Sequence, residues 1–213
     1  MTPLVSPELD RYLIDVLPSR DPVLAEIEAA ARERDVPIVG PAVATLLALL
    51  SRSIGARRVC ELGSAIGYST AFFARAVGPG GKVLYTDGSE KNAREAAGYF
   101  ERMNLSDRID VRVGDAVTSL EATTGDYDVV FIDIDKDGYP AALEAAAPRV
   151  RVGGYLLADN VLWSGKVVDP GVTDANTEGI REFNRRLFAR RDFESVIVPL
   201  RDGVAIARKL ERQ

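Results

Sequence analysis

The side chains best suited to chemistry in this sequence are oxygen donors. Glu61, Asp87, Asp115, Asp133 and the pair Asp159-Asn160 each stand at or just beyond the end of a short apolar run. In open α/β sheets a ligand lies beyond the carboxyl ends of the strands, so these acids would gather on one edge. A single acid there is ordinarily a helix cap or a turn former. Acids repeated strand after strand repel one another unless they meet a cation or hydroxyl groups, which favours a site. Asp133, Asp159 and Asn160 offer two carboxylates and an amide carbonyl, a set suited to octahedral Mg²⁺, with Mn²⁺ or Ca²⁺ as other hard cations. A hydrogen-bonded Asp-Asn turn is the alternative. The chain contains no histidine, which removes Ser-His-Asp and Cys-His nucleophile systems and any His-ligated zinc site. A general base must therefore be Lys, Asp, Glu or Tyr. Lys136 follows Asp133 by three residues, where a helical turn would carry it back over the same place. Beside a cation its proton affinity would fall toward that of a working base; otherwise it is a solvent-facing charge.

A second candidate is the stretch Glu61-Leu62-Gly63-Ser64-Ala65-Ile66-Gly67-Tyr68-Ser69. An apolar run ends in an acid and two glycines, and a helical pattern begins at once, which reads as strand, tight turn and helix. The spacing Glu61-x-Gly63-x-x-x-Gly67 is not the G-x-G-x-x-G that seats a pyrophosphate on helix-terminal amides. A carboxylate in the turn would repel a pyrophosphate but suits a ligand with a positive amino group or free hydroxyls. A plain strand-to-helix turn is the other reading. Asp87 ends the run 82–87 and could accept from both hydroxyls of a ribose, or cap the helix starting near Ser89. Asp115, with Ala116, would flank the adenine side of such a ligand, or belong to an ordinary Gly-Asp turn.

Elements in alternation would position these groups. Strands are predicted at 58–62, 82–87, 109–113, 127–133 and 153–159, with helices at 67–77, 89–103, 116–122 and 138–149 between them. Such β-α alternation implies a doubly wound parallel sheet. A polar segment from Trp163 to Asp174 and a helix over 176–190 follow. Runs 193–200 and 204–208, joined by Arg201-Asp202-Gly203, predict a closing antiparallel hairpin. The expected whole is one domain over 1–213, with N-terminal helices in 1–55 (at 7–17, 21–35 and from Gly40-Pro41) and the sheet core in 57–209. At 213 residues it is long enough to bury a large core. The net charge of −5 gives no basic footprint for nucleic acid. No apolar run is long enough for a membrane span, and Met1 to Glu8 lack the basic region of a signal peptide. The single cysteine, Cys60, lies inside the first strand and suits a reducing cytoplasm.

With these residues in view, the sequence resembles the cation-dependent small O-methyltransferases, the group containing catechol and caffeoyl-coenzyme A O-methyltransferases. The resemblance rests on Glu61 to Ser69, on Phe131-Ile132-Asp133-Ile134-Asp135-Lys136-Asp137-Gly138-Tyr139 and on Asp159-Asn160-Val161-Leu162-Trp163. It implies a Rossmann-like, class I methyltransferase fold: an α/β seven-stranded, mostly parallel sheet with one antiparallel strand, binding S-adenosylmethionine. By motif position Val39, Glu61, Gly63, Ser64, Ser69, Asp87 and Ala116, with Asp115 and Asp133 beside them, would touch that cofactor. Asp133, Asp159 and Asn160 would hold the metal, and Lys136 would be the base. The implied reaction is methyl transfer to a phenolic, catechol-like small molecule, by a protein that is commonly a homodimer. Gly88 and Ile134 depart from the usual residues of the family. A non-catalytic S-adenosylmethionine-binding regulator and an NAD-dependent oxidoreductase are the rival readings. The first is disfavoured by the intact metal trio with Lys136, the second by the missing G-x-G-x-x-G.

Overall fold

The computed structural model describes residues 6–211. Helices α1 (Pro7–Asp15), α2 (Pro22–Arg34) and α3 (Gly40–Ser53) precede β1 (Arg58–Leu62). Then α4 (Tyr68–Val77), β2 (Lys82–Asp87), α5 (Glu90–Arg102), β3 (Ile109–Val113), α6 (Ala116–Glu121), β4 (Tyr127–Ile132), α7 (Tyr139–Ala146) and β5 (Val150–Ala158) alternate. The chain ends in α8 (Ala175–Ala189), β6 (Phe193–Val198) and β7 (Val204–Lys209). Ser6, Asp21, Ser89, Asp115 and Asp174 cap α1, α2, α5, α6 and α8 by accepting a first-turn N–H. Such residues are favoured there because those amides have no partner inside the helix.

The strands form one sheet in the order β3-β2-β1-β4-β5-β7-β6. β1 to β5 pair in parallel, and β7 runs antiparallel to both β5 and β6. The seven strands with one antiparallel member are as expected. The helix predicted over 138–149 stops at Ala146 and finishes as the 3-10 turn Ala147–Arg149. Pro148 explains this, since its ring disfavours helix at the preceding residue and it lacks an N–H. The strand predicted from 153 begins earlier, at Val150, with a register shift between Tyr127 and Val129 on its neighbour.

Alternate strand residues face opposite ways. Val59, Val83, Val129 and Leu157 join Leu24, Leu47, Phe73 and Phe100 in a core on one face. Cys60, Leu62, Val130 and Ile132 join Leu120, Leu143 and Phe183 on the other. Burial pushes the Cys60 thiol up to about 12, so it is an inert core residue rather than a nucleophile. α1 buries none of its residues and leaves Leu9, Tyr12 and Val16 on the surface. Among the described residues no helix is long and apolar enough to cross a membrane.

Candidate active site

The strand order reverses at β1, between β2 and β4, which opens a crevice at the carboxyl edge of an α/β sheet. A cleft of about 1130 Å³ lies there, lined by Val39, Gly63, Ser64, Ser69, Asp87, Asp115 and Ala116 toward one end. Asp133, Lys136, Asp159, Asn160 and Trp163 line it toward the other. All the predicted site residues except Glu61 therefore meet in one cavity.

The first end is built from backbone. Gly63 has φ +85°, and a Cβ on it would collide with the Asp133 carbonyl oxygen, so only glycine fits between β1 and β4. Past it, Ser64 N donates to Thr86 O at 2.9 Å and Gly67 N donates to Ser64 O at 2.8 Å. Ala65 N donates to Asp87 Oδ2 at 3.0 Å, while Ser89 N (2.8 Å) and Asn92 Nδ2 (3.1 Å) donate to Oδ1. The cap of α5 is Ser89, not Asp87. Asp87 instead ties the glycine turn to β2 and borders the cleft. A carboxylate accepts about four hydrogen bonds, so roughly one acceptor position of Asp87 is left over. Asp115 is the cap of α6, accepting from Thr118 N at 2.7 Å, a bond that holds its carboxyl below the usual range. Asp115 thus caps α6 and also lines the cleft.

Glu61 stands apart from the other predicted residues: it does not line the cleft, and its side chain has no exposed surface. Oε2 accepts from the Thr70 hydroxyl, and Oε1 is buried without a partner. Burial pushes its carboxyl up to about 7, against the pull of the Ser69, Thr70 and Ser64 hydroxyls around it. It supports the floor from below.

The other end is built from side chains. Asp133 N donates to Leu62 O (2.8 Å) and Asp159 N to Ile132 O (3.2 Å), continuing the parallel ladder so that the two acids lie side by side. Lys136 is not a solvent-facing charge: its side chain is only 11% exposed. Its Nζ donates to Asp133 Oδ1 at 2.9 Å and to Ile134 O at 3.0 Å. It also lies 5.1 Å from the Tyr139 ring centre and 5.9 Å from that of Trp163. Asp159 is 2% exposed, and its Oδ1 is buried with no hydrogen-bond partner. Burial raises its carboxyl above the usual range, and the charge of Asp133 raises it further. Asn160 follows in the left-handed region at φ +56°.

These residues fit a hard cation. Two neighbouring acids, one with an unpartnered buried oxygen, are stabilised by a positive charge between them. Lys136 supplies such a charge to Asp133 but makes no hydrogen bond to Asp159. No three His, Cys, Asp or Glu side chains converge on a cation position among the described residues. Asp133 and Asp159 would therefore need the Asn160 carbonyl and exogenous oxygens to complete a coordination shell.

Three supporting groups escaped sequence reasoning. Arg181 of α8 donates to the carbonyls of Val167 (3.1 Å), Val172 (2.8 Å), Lys166 (3.0 Å) and Asp169, pinning the polar segment after Trp163. Tyr68 donates to Glu28 of α2 at 2.7 Å, which also accepts from Arg20 at 2.8 Å, joining α2 to the cleft wall. Arg201, on the β6–β7 turn, donates to Ile38 O at 2.9 Å. None has a local sequence signal, because each bond spans eight or more positions and most end on a carbonyl any residue could supply. Trp163 both packs on the α6–α8 core and lines the cleft, with Lys166 Nζ 5.3 Å from its ring centre.

Comparison with known proteins gives consistent results. Residues 19–210 match the family described as O-methyltransferase. A catechol O-methyltransferase of Niastella koreensis is 31% identical over 210 residues, covering 93% of this chain and 95% of that protein. The crystal structure of an O-methyltransferase from Bacillus cereus in complex with SAH superposes with a TM-score of 0.87 at 34% identity, over 95% of this chain and 97% of the other. An O-methyltransferase of Streptomyces achromogenes involved in tomaymycin synthesis, in complex with SAM, gives a TM-score of 0.86 at 31% identity, over 95% and 96%.

Proposed function

Because the chain belongs to the O-methyltransferase family, we propose that it transfers the methyl group of S-adenosylmethionine to one hydroxyl of a catechol-like acceptor, with a divalent cation on Asp133, Asp159 and Asn160. One observation carries the acceptor reading: Lys136 Nζ sits on Asp133 Oδ1 at 2.9 Å beside the unpartnered Oδ1 of Asp159. A base and a cation position so close together suit vicinal hydroxyls, one to lose its proton and one to be held. The catechol O-methyltransferase of Niastella koreensis supports the same acceptor class.

S-adenosylmethionine supplies an electrophilic methyl group on a sulfonium. A hard divalent cation held there would supply positive charge that offsets the paired acids and lowers the proton affinity of a neighbouring hydroxyl. The rest is done by this chain. The turn from Gly63 to Gly67 lets the donor approach the backbone beside Asp133, and Asp87 accepts from a ribose hydroxyl at its remaining acceptor position. Lys136 takes the acceptor proton at Nζ, with Ile134 O and Asp133 holding that atom in place. The acceptor oxygen gains the methyl carbon as the carbon–sulfur bond breaks, its electron pair going to sulfur. Trp163 and Ile134 border the cleft at this end. Alignment of oxygen, carbon and sulfur contributes about 7–11 kcal/mol in well-oriented cases.

The test incubates the protein with S-adenosylmethionine and vicinal diphenols, with Mg²⁺ or with EDTA, and reads methylated product by mass. Product only with metal is the expected result. Product in EDTA would remove the cation, and absence of product across the diphenols would remove the acceptor class. We also propose a second copy of the chain against the exposed face of α1, which sedimentation velocity on the same preparation checks; a lone monomer would refute it.

A further inference from the structure

Arg201 has φ +50°, a conformation in which glycine is the usual occupant. The turn that holds it is fastened to the segment after Asp159-Asn160. Val161 N donates to Gly203 O at 3.0 Å, Leu162 N to Asp202 O at 2.9 Å, and Ser164 N to the Asp202 carboxylate. A Cβ on Gly203 would collide with the Leu162 side chain, so the two segments are in close contact. Across the mouth of the cleft, Arg201 Nη1 donates to Ile38 O at 2.9 Å, next to Val39. Arg201 thus bridges the metal end of the sheet and the segment leading into α3, and it lines the cleft.

Its hydrogen bonding is left incomplete. A guanidinium offers five N–H donors in a planar fork; among the described residues this one donates to a single carbonyl, with the Asp159 and Asp202 carboxylates near enough to feel its charge but not bonded to it. Of the other cations lining the cleft, Arg20 rests on Glu28 and Lys136 on Asp133, while Arg32 of α2 is unpaired among the described residues but belongs to the N-terminal helices, away from the β6–β7 turn. Among the described residues Arg201 has no carboxylate at ion-pair distance. Lys166 stands over the Trp163 ring, 5.3 Å from its centre, and adds further positive charge to this end. In a chain of net charge −5, a partly engaged guanidinium facing the cleft matches an anionic ligand group. Its fork geometry matches a carboxylate in particular.

We infer that Arg201 binds a carboxylate carried by the acceptor, so that the protein prefers acidic catechols over neutral or cationic ones. The inference rests on the proposed function for the identity of the hydroxyl-bearing ring. An acceptor held at Asp159-Asn160 presents its other substituents next to the turn that is bonded to that strand end, and Arg201 is the cation there.

The experiment measures kcat/KM for 3,4-dihydroxybenzoate, catechol and dopamine, with S-adenosylmethionine and Mg²⁺, in the native protein and in Arg201→Gly and Arg201→Glu. Glycine adopts the left-handed turn without strain, so Arg201→Gly keeps the fold, checked by its melting temperature. The native protein should favour 3,4-dihydroxybenzoate over catechol at least tenfold. That ratio should fall at least tenfold in Arg201→Gly, and Arg201→Glu should shift preference toward dopamine. A ratio equal in native protein and Arg201→Gly, or no preference in the native protein, overturns the inference. If none of the three is methylated, the acceptor reading fails separately. Calorimetric binding of 3,4-dihydroxybenzoate to protein loaded with S-adenosylhomocysteine and Mg²⁺ then decides. A Kd raised at least tenfold by Arg201→Gly supports the carboxylate site, and an unchanged Kd refutes it.

Discussion

The cleft over β1 and β2 is floored by main-chain amides, whereas its far wall over β4, β5 and β7 is made of side chains from separate segments. At the first end, the amides of Ser64, Ala65 and Gly67 and the carboxylate of Asp87 are joined within one βαβ unit. At the second, Lys136, Asp159 and Trp163 meet Arg201 from the β6–β7 turn, while Arg181 holds the polar segment from behind. A backbone-built floor tolerates few changes of sequence, since each amide is already committed and a Cβ at Gly63 has no room. A wall of side chains can change its ligand by single substitutions. The difference suits a protein with one fixed donor and an acceptor that varies among relatives.

That contrast can be broken at its strongest point by Gly63→Ala. The new Cβ would strike the Asp133 carbonyl in a conformation that disfavours side chains. Loss of calorimetric S-adenosylhomocysteine binding is expected, with destabilisation of about 3 kcal/mol or more. Because Asp133 belongs to the far wall, both halves should fail together; a variant with native affinity would show that the floor is not backbone-limited. Lys136→Ala sharpens the contrast from the other side. Turnover should fall roughly 10²- to 10⁴-fold while cofactor affinity stays native. Equal turnover would remove Lys136 as the base.

A smaller effect lies under the floor. Glu61 is raised from the usual carboxylate value to about 7, so it is buried preferentially as the neutral acid. Its contribution is fully present below the unfolded-state value of about 4.3 and is lost as pH rises through 7. A shift of this size corresponds to on the order of 3 kcal/mol. Denaturant unfolding of the ligand-free protein at pH 5 and pH 8 should therefore show Glu61→Gln gaining relative to the native protein at the higher pH. Parallel pH profiles for the two would mean that Glu61 does not titrate in this range.

Much of the cleft was readable because it depends on local rules. Short apolar runs mark β1, β2 and β4 to within a residue, since a parallel strand buried on both faces reads as a near-continuous apolar stretch. Acids at the strand ends converge because parallel strands all point their carboxyl ends one way. That Glu61 does not line the cleft has a cause no spacing reveals: it is the penultimate residue of β1, and its side chain is enclosed by the turn and the first residues of α4. Asp87 shows the same limit, for whether it or Ser89 caps α5 depends on the hydrogen bonds that Asp87 makes to the glycine turn.

By itself, then, the amino-acid sequence determined the element order, the parallel sheet with its antiparallel β7, the glycine turn and the edge on which the acids collect. These follow from backbone sterics, the spacing of short apolar runs and strand direction, all of which act over a few residues. The tertiary structure alone decided that Glu61 lies below the floor, that Lys136 pairs with Asp133 while Asp159 keeps an unpartnered oxygen, and that Arg201 reaches Ile38 across the cleft mouth. Those outcomes depend on which distant segments share space, and burial and charge act through that neighbourhood rather than along the chain.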